Sequence, residues 1–349
     1  MSVSLFDLRT LLGVVKTAPR VKSFLRDTYF SNVVTCATET VDIDVVDLEK
    51  KKMAAFVSPI SGGTFTYRDG YSTHTYKPPM IAPKIPTSAA DILKRMPGET
   101  IYATLSPEQR AQQIIADNLQ YLDRQITRRE EWMAAQALFT GAVTIKGEGV
   151  NDSISFWPAE EAKKPYTELA TKWNASGADP LADLDALCEK TADASGLTPV
   201  RALLGAKAAR ALVAKLTKDG VLDDRRIDLG SIQPASELPA GARYIGTLRY
   251  PQLELYTYSE KYVDDATGDL TPLVPEDKVL ISCAEAQTTR AYGIVNIIDA
   301  AGNSQWIEGD RIPNSWVQRE RPAGQVVQMT SRPLLIVNQP QAFRVAKVL

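Results

Sequence analysis

The feature that most constrains the fold is an uninterrupted helical pattern from residue 106 to residue 140. Ser106 is a favourable N-cap, Pro107 suits the first helical position, and Gln109 completes a capping box. Gly141 supplies a stop. Apolar side chains recur at helical spacing between these signals, at Ile115, Leu119, Leu122, Ile126, Met133 and Leu138. Such a helix would span about 50 Å, which is about two to three times the usual globular length.

Charged side chains lie between the apolar positions of this helix. They are Arg110, Asp117, Asp123, Arg124, Arg128, Arg129, Glu130 and Glu131. One interpretation is a solvated face with internal ion pairs. A second, compatible with the first, is a structural strut whose charges pair in part with neighbouring subunits.

Residues 54–86 predict a long β-hairpin with a proline-stiffened return. Threonines and aromatic residues alternate in this segment, and Gly-Gly and Asp-Gly pairs supply turns. The segment has few large aliphatic side chains with which to build its own core, and an isolated two-stranded ribbon is marginal in water. We therefore expect the hairpin to lie on another surface, such as that of a neighbouring subunit.

The rest of the chain predicts a mixture of helices and strands. Residues 4–30 indicate two short amphipathic helices, and residues 33–48 indicate extended chain. A helix is expected to begin with Asp179 as its cap and to end near Gly196, and another is expected from Leu204 to Leu216. Strands are predicted within residues 142–158, 243–258, 279–298 and 326–338.

Few residues carry the chemistry that an enzyme or a metal site needs. His74 is the single histidine, which excludes most acid–base and metal-site designs. Cys36, Cys188 and Cys283 are isolated and are interpreted as small apolar side chains. No phosphate-binding loop or nucleophile elbow is present in the sequence. We therefore predict no catalytic residue, no cofactor and no metal ion.

The charge balance argues against tight nucleic-acid binding. Lys and Arg number 40 against 42 Asp and Glu, which gives a formal net charge of −2. Proteins that bind nucleic acid through phosphates normally carry a basic excess. No apolar run approaches the roughly 20 residues that span a bilayer, so we expect no membrane contact.

Several segments, in order along the chain, resemble the major capsid proteins of lambda-like tailed bacteriophages. They are Phe24-Leu-Arg-Asp-Thr-Tyr-Phe, Val57-Ser-Pro-Ile with the following Gly-Gly, Leu93-Lys-Arg-Met-Pro-Gly-Glu, residues 106–141, Tyr292-Gly-Ile-Val with Ile298-Asp-Ala, Pro313-Asn-Ser-Trp-Val, and Arg332-Pro-Leu-Leu-Ile-Val-Asn-Gln-Pro. Each landmark is weak alone, but their order and spacing across the chain are specific. The likeness is lower in residues 145–180 and 217–243.

The resemblance implies an α+β fold of the Hong Kong 97 phage capsid type. Its implied parts are an N-terminal arm, an extended β-hairpin loop, a peripheral domain with a long spine helix, and an axial domain. Carried onto this chain, the boundaries are 1–48 for the arm, 49–92 for the loop, 93–160 with 320–349 for the peripheral domain (spine helix 106–140), and 161–319 for the axial domain.

The resemblance also implies a structural protein rather than an enzyme. Members of the family form hexamers and pentamers that close an icosahedral shell around double-stranded DNA, without sequence-specific binding. The implied partners are a scaffold protein, a portal protein and a decoration or cementing protein, with assembly in the host cytoplasm and a final location in the virion capsid. The candidate contacts between subunits are the loop aromatics Phe65, Tyr67, Tyr71 and Tyr76.

Alternative interpretations come from three classes of protein. An encapsulin-like shell or a tail subunit would also self-assemble, and its cargo or genomic neighbourhood would distinguish it. A carboxylate-dependent hydrolase would be a monomer or small oligomer with a deep acidic cleft. A nucleic-acid-binding module is disfavoured by the charge balance.

Overall fold

The protein is described by a computed structural model. The described residues are 8–17, 23–46, 56, 71–88, 91, 106–147, 149–158, 160, 164–218, 238–264, 267–298, 304–318 and 324–349. The chain divides into two compact units. The first unit contains Met1–Val41, Tyr76–Glu131 and Arg290–Leu335, and the second contains Asp42–Thr75, Trp132–Thr289 and Ile336–Leu349.

The described elements follow one another in this order. The first half contains α1 (Leu8–Thr17), α2 (Phe24–Tyr29), β1 (Val33–Thr35), β2 (Val41–Val46), β3 (Tyr71–Tyr76), β4 (Lys84–Ser88), α3 (Pro107–Thr140), β5 (Ala142–Gly147), β6 (Val150–Ser155), β7 (Tyr166–Glu168), α4 (Pro180–Ser195), β8 (Pro199–Leu204) and α5 (Ala206–Lys218). The second half contains β9 (Ala242–Leu248), β10 (Leu253–Tyr258), β11 (Lys261–Val263), β12 (Leu270–Pro272), β13 (Lys278–Cys283), β14 (Thr288–Tyr292), β15 (Val295–Ile298), β16 (Ser304–Ile307), β17 (Ile312–Gln318), β18 (Gly324–Thr330), β19 (Pro333–Val337), a 3-10 turn (Pro340–Ala342) and β20 (Phe343–Lys347).

The long helix α3 forms as its end signals predict. The Ser106 hydroxyl accepts the Gln109 N–H at 3.2 Å, and the Gln109 side chain accepts the Ser106 N–H at 3.0 Å, which is the predicted capping box. At the other end, Gly141 has φ +65° and lies against the indole of Trp157, where an added methyl group would be 2.0 Å from the ring. A larger residue at position 141 would therefore meet both backbone strain and a steric clash.

The first unit is built around the apolar stripe of α3. Ile115, Leu119, Leu122 and Ile126 form a core with Leu11 of α1 and with Val327 and Met329 of β18. Strand β18 lies between β17 and β4 in an antiparallel sheet. The arm strand β1 pairs in parallel with β14. This arrangement buries the predicted helical stripe against chain that is about 200 residues distant in sequence.

The second unit is built around a six-stranded mixed sheet in the order β7-β20-β13-β8-β10-β9. Helices α4 and α5 share one apolar core with this sheet, which includes Leu184, Leu212, Leu255 and Ile281. Asp179 caps α4 by accepting the N–H groups of residues 181 and 182, and Gly196 ends it with φ +71°, both as predicted. Helix α5 begins at Ala206 rather than at Leu204, because Leu204 completes the buried strand β8.

The hairpin predicted within residues 54–86 is described in part. Most of residues 54–70 lie outside the described residues. Strand β3 pairs with β2, in the segment that was predicted to be extended chain before the loop. The proline-containing return joins the first unit, where β4 pairs with β18 from Lys84↔Gln328 to Ser88↔Gly324. The return of the loop is thus fixed to the sheet of its own chain, which periodicity alone did not predict.

Candidate assembly elements

A buried ion cluster joins α3, the arm helix α2 and the chain that leads into β17. Glu130 of α3 is 0% exposed and accepts both terminal guanidinium nitrogens of Arg311 at 2.8 Å. Its carboxylate also accepts hydrogen bonds from Arg26 Nη1 and from the Tyr292 hydroxyl, each at 3.0 Å. Charge-assisted and bidentate bonds of this kind are the strong ones in proteins. We call these four residues the arm–helix ion cluster.

Arg311 contacts two successive turns of α3. Its Nε donates to Asp123 at 2.7 Å, and its Nη2 donates to the Thr127 hydroxyl at 3.3 Å. Asp123, Thr127 and Glu130 have the spacing that places side chains on one helix face. A single guanidinium therefore fixes this face of α3 to the start of β17.

Glu131 holds the N-terminus of α2. Its two carboxylate oxygens accept the N–H groups of Leu25 at 2.8 Å and Arg26 at 2.9 Å. These are first-turn N–H groups that would otherwise need a cap, and the negative charge also suits the positive end of the helix. Asp27 accepts the Ser23 N–H at 2.9 Å and pairs with Arg290 of β14 at 3.2 Å. The arm helix is thus held by adjacent glutamates of α3.

The electrostatics of the cluster keep it ionised at neutral pH. Burial alone would raise the pKa of Glu130, but the charge and hydrogen bonds of Arg311 and then Arg26 outweigh it, so the pKa is lowered. Burial would likewise lower the pKa of both arginines, yet their acidic partners raise it. Burial, reinforced by the Glu130 charge, raises the pKa of Tyr292. Tyr292 therefore remains a neutral donor.

This arrangement predicts a specific acid sensitivity. A carboxylate whose pKa is lowered on folding contributes stability above its unfolded value, and that stability is lost as the pH falls through the folded value. For Glu130 the loss should begin below its ordinary value of 4.5. Thermal melts between pH 7 and pH 3 should therefore show a steeper acid fall for the wild type than for Glu130→Gln. Equal slopes would contradict an ionised Glu130 in the folded protein.

The interpretation of the α3 charges as a solvated face is therefore wrong at Glu130 and Glu131. Arg124, Arg128 and Asp117 are exposed, as a solvated face requires. Glu130 and Glu131 are buried instead, and the groups that bind them include residues of the arm and of the β14–β17 segments of the same chain. Sequence distance hid this pairing, since Arg311 is 181 residues from Glu130. The sequence did contain one signal of this burial. The acidic pair Glu130 and Glu131 directly precedes Trp132 and Met133 on the apolar side of the helix.

The predicted contact aromatics are described in part. Phe65 and Tyr67 lie outside the described residues, and Tyr71 is described as the first residue of β3 without its side chain. Tyr76 ends β3 and is half-buried, which raises its pKa. Elsewhere in the loop, Phe56 is fully exposed and Met80 is 61% exposed. No described contact joins the four predicted aromatics, so their role stays a prediction.

The cysteines, the possible metal ligands and His74 are the other residues considered as candidates for chemistry. Cys188 and Cys283 are buried free thiols, Cys36 is half-buried, and burial raises the pKa of Cys188 to about 12. Within the described ranges, no three His, Cys, Asp or Glu side chains are grouped to hold a metal ion. None of the described helices is long and apolar enough to cross a bilayer. The side chain of His74 is not among those described.

Comparison with protein families decides the relationship. The family described as phage major capsid protein E matches residues 7–348. The chain belongs to this family. The family resemblance inferred from the ordered sequence landmarks is therefore confirmed.

Individual phage major capsid proteins match most or nearly all of the chain. The major capsid protein of Enterobacteria phage P21 is 26% identical over 352 residues, covering 99% of this chain and 100% of the relative. The major capsid protein of Escherichia phage lambda is 26% identical over 296 residues, covering 83% of this chain and 84% of the relative.

Solved structures confirm the α+β capsid fold. A prophage protein of Escherichia coli CFT073 described as a capsid protein has a TM-score of 0.71 and 24% identity, covering 98% of this chain and 99% of the other. A phage-related protein of Bordetella bronchiseptica RB50 has a TM-score of 0.52 and 13% identity, covering 98% and 97%. At these identities the likeness defines the fold.

Proposed function

We propose that this chain is the subunit of an icosahedral phage head, in which hexamers and pentamers of the chain enclose double-stranded DNA without sequence-specific binding. The observation that carries the proposal is the capsid protein E match over residues 7–348. The near-neutral net charge of −2 is compatible with a container that need not bind its contents tightly. The protein then acts as a structural component rather than as an enzyme.

The mechanism is assembly through segments that extend from compact units. The sequence hypothesis places residues 54–86 over a neighbouring subunit and has residues 1–48 reach across another contact. Because β4 (Lys84–Ser88) pairs with β18 of the same chain, the part of the loop before β4 is the part proposed to reach the neighbour. Two described parts of the arm are held by their own chain, since the arm–helix ion cluster fixes α2 and Leu11 of α1 packs in the core of the first unit. Strands β1 and β14 fix a further point of the arm, from Val33↔Arg290 to Thr35↔Tyr292.

The proposed start of the axial domain is supported by the strand pairing, whereas the assignments proposed for residues 290–349 are better changed. The six-stranded sheet, whose first strand in sequence is β7, supports an axial domain beginning near residue 161, although the compact unit that contains this sheet includes the chain from Trp132. Residues 290–319 were assigned to that domain, yet β17 pairs with β18 along its length. Strand β20 was assigned to the peripheral domain, yet it pairs with β13 and β7. We therefore favour 290–335 as peripheral and 336–349 as axial.

The proposed partners follow from the same function. A scaffold protein would guide closure, a portal protein would occupy one vertex, and a decoration or cementing protein would stabilise the shell. Assembly would take place in the host cytoplasm, and the product would be the virion capsid. No membrane contact is part of the proposal.

The loop contact can be tested without disturbing strand pairing. A deletion of residues 56–85 would also remove β3 and part of β4, so substitutions at the aromatic positions are preferable. We expect Phe65→Ser with Tyr67→Ser to reduce closed shells by about tenfold or more, since interface aromatics dominate binding energy. Electron microscopy and sedimentation of the co-expressed protein measure this.

The matched control for the loop test is Tyr121→Ser, at a 55% exposed tyrosine on α3 outside the loop. It should assemble as the wild type does. Normal shells from the loop variant would show that Phe65 and Tyr67 are not decisive contacts.

A further inference from the structure

Helices α4 and α5 cover the same face of the six-stranded sheet. Strands β7, β8 and β10 run in parallel. Helix α4 connects β7 to β8, and α5 followed by the antiparallel edge strand β9 lies between β8 and β10. Both connections move in the same direction across the sheet order. The right-handed crossover rule places α4 on one side of the sheet, and the apolar core that α4 and α5 share with the sheet places both helices on that side.

Each helix has an outward stripe opposite its buried face. The exposed residues of α4 and its cap follow helical spacing, and Lys190 is the one basic side chain among them: Asp179, Ala182, Ala186, Glu189, Lys190, Asp193 and Ala194. The outward residues of α5 are likewise exposed: Lys207, Arg210, Ala214 and Lys218. We call these the acidic stripe and the basic stripe. In each, charged residues flank small alanines, which permit close approach of another surface.

The two helices carry opposite charge. Five carboxylates and one lysine within residues 179–195 give a net charge of −4, and four basic residues without an acid in α5 give +4. The whole chain has a net charge of −2. The opposite charges of neighbouring helices are therefore a local segregation of charge on one side of the sheet.

Parts of this charge pattern oppose the helix dipoles. Asp193 lies in the last turn of α4, which has no basic residue there, and Lys207 lies in the first turn of α5, which has no acidic residue there. A carboxylate is unfavourable at a helix C-terminus, and an ammonium group is unfavourable at an N-terminus. Dipole stabilisation therefore does not account for these two positions.

Sideways-facing charges of the same region have partners within the chain. Asp183 accepts the indole N–H of Trp173 at 3.0 Å, and Asp185 accepts the Tyr250 hydroxyl at 3.0 Å. In the basic stripe, Lys207 pairs with Glu276 at 2.7 Å. Glu189 and Arg210 are exposed on the outward stripes and are the positions best suited to an external partner.

We propose that the acidic stripe and the basic stripe are complementary docking surfaces for a second copy of this chain. The proposal rests on the shell function and specifies one of its subunit contacts. Because both stripes lie on one side of the sheet, a copy rotated by a half-turn about an axis between the helices would set each α4 on the other copy's α5. The stripes have similar lengths, about 21 Å and about 17 Å at the helical rise per residue.

The test uses charge reversal with complementation between variants. Glu189→Lys changes the net charge of residues 179–195 from −4 to −2, and Arg210→Glu changes that of α5 from +4 to +2. Each variant alone should lose about tenfold or more of its assembled fraction, because the attraction between the stripes is weakened and like charges face one another where position 189 of one copy meets position 210 of the other. The double variant in one chain, and a mixture of the two single variants, should both recover assembly.

Native mass spectrometry and sedimentation velocity of co-expressed chains measure these fractions, and circular dichroism confirms folding. The matched control is Lys146→Glu, an equal charge change at an exposed residue of β5, which should assemble normally. Recovery in the mixture distinguishes contact between copies from attraction between the helices of one chain.

Normal assembly of both single variants would overturn the proposal, as would recovery in the double variant without recovery in the mixture. A loss of assembly in Lys146→Glu equal to that in the single variants would also overturn it. If the wild type itself formed no assemblies with its scaffold, the shell function would be at fault rather than this contact.

Discussion

Replacing Glu130 with glutamine is expected to lower the free energy of unfolding by about 3–5 kcal/mol, the usual effect of removing one partner from a buried ion pair. The substitution keeps the shape of the side chain but leaves Arg26 and Arg311 buried without their shared carboxylate. Asp27 and Asp123 would remain as partial partners. Denaturant unfolding followed by circular dichroism measures the change.

The matched control for Glu130→Gln is Asp117→Asn, which removes an equal charge from an exposed position of the same helix. Its effect should stay within about 0.5 kcal/mol. If the two variants had similar stability, the arm–helix ion cluster would contribute no more than a surface charge. A double variant with Arg311→Met should recover part of the loss, because apolar replacement of a whole buried pair is often tolerated.

Gly205→Ala is expected to destabilise the second unit by about 2–3 kcal/mol, as overpacking against fixed atoms does. An added methyl group would lie 2.1 Å from the Pro275 carbonyl oxygen and 2.7 Å from backbone atoms of Glu276. That loop cannot move freely, because the Glu276 carbonyl accepts the N–H groups of Lys207 and Ala208 at the start of α5. The melting temperature should fall accordingly.

Gly177→Ala is the control for this clash, since no atom lies within 4 Å of the added methyl group. It should leave the melting temperature nearly unchanged. Equal stability of the two alanine variants would show that the loop at Pro275 adapts to the methyl group.

The sequence predicted correctly the helices whose ends are defined by a few neighbouring residues. The capping box at Ser106 and the glycine at position 141 define α3, and Asp179 and Gly196 define α4. These features act over a few residues, so they can be read without the fold. The same holds for the extended segments that became β1 and β2.

Long-range pairing accounts for what the sequence did not predict. The hairpin pattern in residues 54–86 did not indicate that β4 would join β18, because strand partners are chosen by tertiary packing. Asp117 and Glu130 are both acidic residues of α3, and the sequence pattern does not distinguish them. Asp117 is exposed, whereas Glu130 is buried because it pairs with Arg311. The loop aromatics Phe65, Tyr67, Tyr71 and Tyr76 remain predictions, because their partners would belong to another subunit.

The most direct test of the shell function is sedimentation and negative-stain microscopy of the wild-type chain co-expressed with its neighbouring genes. The account predicts closed shells, or hexameric and pentameric capsomers, in the rapidly sedimenting fraction. A chain that stays monomeric under all conditions, even with its scaffold protein present, would contradict it.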